Sequence, residues 1–140
     1  MTDIVKVKTG SPAEERGAYS RLIAVDNLIF VSLTAGRNPR TKLIPEDPAE
    51  QTLQVLSNID AALAAVGSTI EDVVAARVFV QFHEDIDAVM EAYAGKMRGI
   101  NPTLTLTSPP LGMAEFKVEI EVTAYRGTAR ANVKEVTISL

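Results

Sequence analysis

Apolar and polar residues alternate with two different periods along the chain, and the change of period separates strands from helices. In residues 116–126 every second side chain is apolar, the pattern of a strand with one buried face. Residues 47–66 instead space their apolar side chains three or four positions apart, as an amphipathic helix does. Asp47 is a suitable N-cap, Pro48 suits the first helical position, and Gly67 suits the left-handed end. This segment is the clearest helix prediction.

The remaining segments continue the alternation of strands and helices. Asp26 and Asn27 separate two β-rich runs, which predicts a hairpin with a tight turn. The predicted elements are a short edge strand at 5–8, a loop at 12–17, strands at 19–25 and 28–33, the helix described above, a strand at 74–82, a helix at 84–98 and strands at 103–107 and 116–126. The sequence therefore predicts an α+β fold of order β-β-α-β-α-β-β, with two helices covering one sheet face.

The second face of that sheet is the predicted place for chemistry. On the strand at 116–126 it carries the polar positions, Glu119 and Glu121 among them. Such a face meets either water or another subunit. The segment 128–140 follows the last of these strands and is predicted to be an extra edge strand or a loose tail.

The composition argues against several classes of protein. The 140 residues suit one domain, 1–140, and 46% of them are apolar. No apolar run approaches the ~20 residues of a membrane span, and no secretory signal is visible at the start, so we expect a cytoplasmic protein without a membrane partner. The net charge is −4 and the basic residues are scattered, so no nucleic-acid partner is expected. There is no cysteine and a single histidine, His83, so no metal site is expected, and no dinucleotide or Walker motif indicates a cofactor.

Several short phrases occur in the order and spacing of a known family. They are Gly17-Ala18-Tyr19-Ser20, Asn27-Leu28-Ile29-Phe30-Val31-Ser32, Glu50-Gln51-Thr52, Arg77-Val78-Phe79-Val80 and Val118-Glu119-Ile120-Glu121-Val122. Together they resemble the Rid family, also called YjgF, over roughly residues 17–126. The resemblance implies a chorismate-mutase-like subunit, a homotrimer and small-molecule pockets between subunits. Active members hydrolyse imines and enamines such as 2-aminoacrylate to 2-oxo acids and ammonia without a cofactor, and some members are labelled ribonucleases or translation inhibitors.

The resemblance also assigns candidate site residues. Glu119 aligns with the glutamate that holds or activates the attacking water, which makes it the catalytic candidate. Tyr19 and Ser32 align with two pocket residues whose hydroxyls can bind substrate or order a water. The plainer interpretations are a solvated strand position for Glu119, core filling for Tyr19 and an ordinary strand position for Ser32.

Other pocket positions depart from the family pattern. Where active members carry the arginine that binds the substrate carboxylate, this chain has Leu104, and an isobutyl group cannot pair with a carboxylate. Leu33 replaces a glycine, Met90 an asparagine, and Leu106 a frequent cysteine, while Thr105 lies between the two leucines. The pocket is therefore predicted to be smaller and more apolar, unless these residues only fill the core.

Three hypotheses follow. The first is hydrolysis of an imine, enamine or related metabolite other than a standard 2-imino acid. The second is an ordinary 2-iminobutanoate/2-iminopropanoate deaminase that uses an arginine from elsewhere in the chain. The candidates for that role are Arg21, Arg37, Arg77 and Arg98. The third is a non-enzymatic trimer that binds small molecules or acts like a chaperone, because one fold hosts many functions.

Overall fold

A computed structural model describes residues 1–140 and contains one six-stranded sheet with two long helices on one face. The elements are β1 (Ile4–Val7), α1 (Pro12–Gly17), β2 (Leu22–Val25), β3 (Leu28–Ala35), α2 (Pro48–Ala64), β4 (Val73–Val80), α3 (Ile86–Met97), β5 (Thr103–Thr107) and β6 (Val118–Tyr125). The strand order is β1-β2-β3-β6-β4-β5, and only the β4–β5 pair is parallel. The predicted α+β architecture is confirmed.

The core lies between the helices and one side of the sheet. The predicted alternation of β6 is confirmed, since Val118, Ile120, Val122 and Ala124 are at most 2% exposed. They pack with the apolar faces of α2 and α3 into one cluster of 20 buried residues. Neither α2 nor α3 lies over the opposite side of the sheet, which is called the open face below. No helix in the protein is both long and apolar enough to cross a lipid bilayer.

Residues 12–17 were predicted to be a loop, and this prediction is wrong. They form the short helix α1, because Ser11 accepts a hydrogen bond from the N–H of Ala13 and Pro12 occupies the first helical position. Ala18 ends the helix with φ 54°, and the N–H of Tyr19 still bonds to the carbonyl of Glu14. The following strand therefore begins at Leu22 and not at residue 19.

The C-terminal extension adds no strand to the sheet of its own chain. Residues 128–130 form one 3-10 turn, and residues 131–140 form neither helix nor strand. Val133, Val136 and Ile138 in this segment are each at least 69% exposed.

Gln51 joins the first turns of α2 to the start of β6. Its amide nitrogen donates to the carbonyls of Pro45 and Glu115 at 2.8 and 3.0 Å, and its amide oxygen accepts from the N–H groups of Lys117 and Val118 at 2.8 and 3.2 Å. The side chain is fully buried, so all four bonds are shielded from water. This contact fixes the end of β6 from which Glu119 projects.

Gly36 allows that contact, and replacing it is expected to destabilise the protein. A Cβ at position 36 would lie 2.6 Å from Gln51 Cγ and 2.7 Å from the Gln51 carbonyl oxygen. We expect Gly36→Ala to lower the free energy of unfolding by about 1–3 kcal/mol in urea denaturation, because overpacking strains a closed core. Gly95→Ala is the matched control, since a Cβ there meets nothing within 4 Å and alanine favours the helix. Equal effects of the two substitutions would contradict this role for Gly36.

Candidate functional site

Glu119 is a carboxylate on the open face without a partner in its own chain. It lies on β6, opposite Ala35 of β3 and Phe79 of β4. Its side chain accepts no hydrogen bond and makes no ion pair, although it is half-buried. Burial raises the pKa of Glu119 above its ordinary value of 4.5, and the positive charge of Arg21 offsets part of this shift. A carboxylate of this kind is suited to take a proton and return it.

Arg21 connects Glu119 to the other residues predicted on this side of the subunit. Its Nη1 donates to the carbonyl of Leu33 at 3.2 Å and to Thr34 Oγ1 at 3.1 Å. The carbonyl of Leu33 is available because β3 has a bulge between Val31 and Thr34. The guanidinium carbon also lies 5.6 Å from the centre of the Tyr19 ring, a cation–π distance.

Glu14 holds Arg21 from the other side, and sequence reasoning missed it. It is 3% exposed, lies 4.0 Å from Arg21 Nε, and accepts hydrogen bonds from the N–H and hydroxyl of Thr9. Burial alone would raise the pKa of Glu14, but the Thr9 bonds and the charges of Arg21 and Lys8 outweigh burial and lower it. Glu14 is therefore a fixed negative charge behind Arg21. The signal that could have found it is the Ser11-Pro12 helix start, which places Glu14 inside a helix.

Tyr19 and Ser32, the two hydroxyl residues that the resemblance assigns to the pocket, lie beside Arg21. The Tyr19 ring packs over Gly17, where a Cβ would lie 2.8 Å from the ring, and its hydroxyl has no bond in the chain. Ser32 donates its hydroxyl proton to the carbonyl of Ser20 at 2.7 Å, so this group remains free only as an acceptor. One side of the subunit thus gathers a set that we call the Arg21 cluster, consisting of Tyr19, Arg21, Ser32, Leu33 and Glu119.

Two of the remaining predicted residues lie elsewhere, between α3 and β5. Met90 and Leu104 line a groove of about 260 Å³, together with Tyr93, Met97, Arg98 and Asn101. We call it the α3–β5 groove. Leu104 is in register with the buried Ala76, which places it on the helix side of the sheet, and it is 46% exposed. Glu119 is on the open face, so one chain does not bring the groove and Glu119 together.

Leu106 and Thr105 occupy two further environments. Leu106 is in register with Val78 and packs partly buried against the core, so the plainer interpretation applies to it within one chain. Thr105 lies on the open face opposite Arg77 and lines a cavity of about 230 Å³ that does not include Glu119. Arg77 also lines this cavity, with its Nη1 2.6 Å from Glu121 Oε1. Arg77 is therefore already paired.

Tyr93 is the second residue whose importance the sequence did not reveal. It is 4% exposed on the inner face of α3, and its hydroxyl is buried without any hydrogen-bond partner. Burial raises the pKa of Tyr93, so the hydroxyl keeps its proton. An unpartnered buried hydroxyl costs about 1–3 kcal/mol and is rare in native proteins.

No three histidine or acidic side chains converge as a metal ion would require.

Known proteins with similar sequences show which family this chain resembles. The sequence model of the family described as endoribonuclease L-PSP matches residues 10–126. A 2-iminobutanoate/2-iminopropanoate deaminase of Escherichia coli is 30% identical over 113 residues, which cover 79% of this chain and 88% of that protein. A rat protein of the same name is 29% identical and covers 91% of this chain and 95% of its own length.

Solved structures of YjgF-family proteins have the same fold as this chain. A member of the YjgF/YER057c/UK114 family from Mycobacterium tuberculosis superposes with a TM-score of 0.80 at 31% identity, covering 88% of this chain and 99% of that one. A YjgF-family structure from Neisseria meningitidis superposes with a TM-score of 0.75 at 29% identity, covering 89% and 95%. The chain therefore belongs to the endoribonuclease L-PSP family, the group also called the Rid or YjgF family.

Proposed function

We propose that the assembled protein hydrolyses a small imine or enamine to a carbonyl compound and ammonia, with Glu119 as the proton carrier. The observation that carries this proposal is the half-buried, unpartnered carboxylate of Glu119, whose pKa burial raises. Two relatives at about 30% identity are named as imine deaminases, which supports the same class of reaction.

The chemistry needs one group that moves a proton in both directions. Glu119 accepts a proton from a water molecule whose oxygen attacks the imine carbon, and passes that proton to the imine nitrogen, which becomes an amine. When this carbinolamine collapses, Glu119 takes the proton of the new hydroxyl and gives it to the amine, the carbon–nitrogen bond breaks, the carbonyl forms and ammonia leaves. An enamine first gains a proton at carbon and loses one from nitrogen, which converts it to the imine. The sum is imine plus water to carbonyl plus ammonia, and no cofactor enters the balance.

We propose that no arginine at position 104 binds a carboxylate of the substrate. Leu104 stands where active relatives place an arginine, and it lies in a groove with Met90. An apolar lining with few polar groups suits a neutral or aromatic molecule.

The pocket that we propose lies between subunits of a homotrimer. The Arg21 cluster and the α3–β5 groove are on different sides of one subunit, so a complete pocket requires the groove of one chain to meet Glu119 of another. Exposed apolar residues on the open face, including Phe30 and Tyr125, also favour burial by a second copy. A trimer is expected in sedimentation equilibrium, and a monomer with activity would contradict this arrangement.

The proposed function is tested by ammonia release from freshly generated imines of matched size. One set carries a carboxylate, with 2-aminoacrylate as the enamine member, and the other set is neutral. We expect acceleration over buffer for the neutral set, larger than for the carboxylate set. A well-folded trimer that accelerates neither set would refute hydrolysis and leave non-enzymatic binding.

A second candidate function rests on the position of Arg21. Its guanidinium group lies close enough to Glu119 to lower the pKa of that carboxyl, so it is placed to bind the carboxylate of a 2-imino acid. Its Nη1 is already bonded and its Nε faces Glu14, which leaves Nη2 as the unoccupied donor. One free nitrogen binds a carboxylate more weakly than the two that active relatives supply from the arginine in place of Leu104.

Arg21→Lys separates the two candidates. Lysine keeps the positive charge beside Glu119 but loses the planar fork. If Arg21 binds substrate, the KM for 2-iminopropanoate is expected to rise by about tenfold, the equivalent of about 1.4 kcal/mol, with neutral imines unaffected. Under the main proposal the KM values of both substrate sets stay within about twofold. Arg37→Lys is the control, because Arg37 is exposed.

A further inference from the structure

Residues 131–140, called the tail segment below, have the sequence pattern of a strand but no strand partner in their own chain. Val136, Ile138 and Leu140 occupy every second position, with a polar residue between them, which is the spacing of a strand with one apolar side. These three residues are at least 69% exposed, and the tail segment forms no strand. The family model ends at residue 126, so the family fold does not account for this segment. Exposed apolar residues in such a row indicate a surface that another chain covers.

The turn before the tail segment is held in place, so the segment leaves the subunit from a fixed point. The N–H groups of Gly127 and Ala129 donate to Asp72 Oδ1 at 3.2 and 2.9 Å. Asp72 directly precedes β4, the strand that pairs with β5. Extended residues of the length of the tail segment reach about 33 Å, roughly the diameter of a small domain. The tail segment is therefore long enough to reach a neighbouring subunit.

Of the two edges of the sheet, the edge at β5 matches the tail segment. Residues 103–107 alternate threonine and leucine, carry no charge, and pair with β4 alone. At the other edge, β1 contains Lys6 and is followed closely by Lys8. Lysine on an edge strand prevents association with other strands, whereas an uncharged edge is open to pairing. A further strand therefore fits β5 better than β1.

We propose that the tail segment of one subunit pairs with β5 of a neighbouring subunit and adds a seventh strand to its sheet. When Thr137 lies opposite Thr105, the two leucines of β5 face Val136 and Ile138 in either strand direction. Leu104 is 46% exposed in one chain, and the added strand buries part of that side chain. Because this strand lies in the plane of the sheet, it does not fill the α3–β5 groove. The inference requires a second copy of the chain but no substrate, so it goes beyond imine hydrolysis.

Disulfide formation between two kinds of chain tests the pairing, because the protein has no cysteine of its own. Chains with Thr105→Cys and chains with Thr137→Cys are coexpressed with tags of different length, so each linked pair has its own size on a non-reducing gel. We expect the mixed pair to be the main oxidised product, because residues opposite each other in paired strands have Cβ atoms about 4.5–5.5 Å apart, near the distance that a disulfide spans. Val5→Cys with Thr137→Cys is the control for β1 and should stay unlinked.

Hydrogen exchange followed by mass spectrometry gives a second readout. The amides of residues 136–140 donate no hydrogen bond within one chain, so without a partner strand they should exchange as in an unfolded peptide. In the assembled protein we expect their exchange to be slower by about tenfold or more. Ile138→Asp should abolish the slowing, because it places a charge on the apolar side of the strand. Asn132→Asp adds the same charge before the alternating residues and should leave the slowing in place.

The mixed disulfide together with slowed exchange would support the added strand. Exchange of residues 136–140 at the unfolded rate, slowing that Ile138→Asp does not change, or a link from Thr137→Cys to Val5→Cys would each overturn it. Slowed exchange without a link between positions 105 and 137, or a monomer in sedimentation equilibrium, would do the same. Neither readout involves substrate, so failure of this inference and failure of imine hydrolysis in the ammonia-release assay are separate results.

Discussion

Glu119→Gln is expected to lower the rate of imine hydrolysis by about 10²–10⁴-fold, the usual contribution of a general base. Glutamine keeps the shape of the side chain but cannot accept the proton of the attacking water. The loss should appear in kcat, since the substrate contacts that we infer lie in the α3–β5 groove. The measurement is steady-state ammonia release at pH 7 from the best imine of the panel.

The matched control is Glu121→Gln on the same strand and the same face. Glu121 is paired with Arg77 at 2.6 Å and lines a different cavity, so its replacement should leave kcat within about threefold. If both variants lose activity equally, a general loss of charge on the open face would explain the result better than a base at position 119.

The substitution that lowers activity, Glu119→Gln, is expected to raise the stability of the folded protein. The folded pKa of Glu119 is raised above 4.5, so its contribution to stability is fully present below pH 4.5 and is lost as pH rises through the folded value. Glu119→Gln should therefore be more stable than the wild type at neutral pH, with the difference vanishing below pH 4.5. Lost activity with gained stability is typical of a functional group and not of a structural one.

Asp72→Ala is expected to cause the largest loss of stability, about 3 kcal/mol of unfolding free energy. Asp72 is 4% exposed and accepts hydrogen bonds from Ser68 Oγ and from the N–H groups of Thr69, Gly127 and Ala129, at 2.7–3.4 Å. These bonds tie the turn before β4 to the turn after β6, so alanine would leave all four donors unpaired. Urea denaturation at pH 7 measures the change.

Acid is expected to remove the stabilisation that the Asp72 carboxylate gives to the folded protein. Burial works to raise the pKa of Asp72, but the bonds from Ala129, Ser68, Gly127 and Thr69 outweigh burial and lower it below 3.8. The stabilisation is therefore present above pH 3.8 and is lost as pH falls through the folded pKa. Glu71→Ala is the control, since Glu71 is exposed in the same turn. A difference between wild type and Asp72→Ala that did not shrink as the pH falls below 3.8 would contradict the role of the charge.

The fold could be predicted because its signals are local and periodic. The strict alternation of β6 and the helical spacing after Asp47 each bury one face, and the structure contains both elements. The helix α1 was missed because six residues are too few for a periodic signal, and only the Ser11-Pro12 start indicates it. The start of β2 was misjudged for the same reason, since the turn at Ala18 depends on that short helix.

The site could be predicted only in part, because it depends on contacts distant in sequence. Glu119 and Tyr19 were identified by resemblance, but their connection through Arg21 depends on the bulge of β3, which no period reveals. Nothing in the sequence distinguishes Tyr93 from its neighbours on the inner face of α3, and only three-dimensional packing shows that its hydroxyl has no partner. Leu104 and Glu119 fall on opposite faces of one sheet, so their meeting depends on a second chain.

Glu119 is proposed to have a raised pKa and to take a proton from water, and the titration of its carboxyl group tests this most directly. In assembled protein labelled with ¹³C at glutamate side chains, the Glu119 resonance is assigned by its absence in Glu119→Gln and followed by NMR from pH 3 to pH 8. We predict a midpoint above 4.5, and a wild-type rate of imine hydrolysis that rises over the same pH range. A midpoint at or below 4.5 would show a solvated or paired carboxylate and would contradict the proposal.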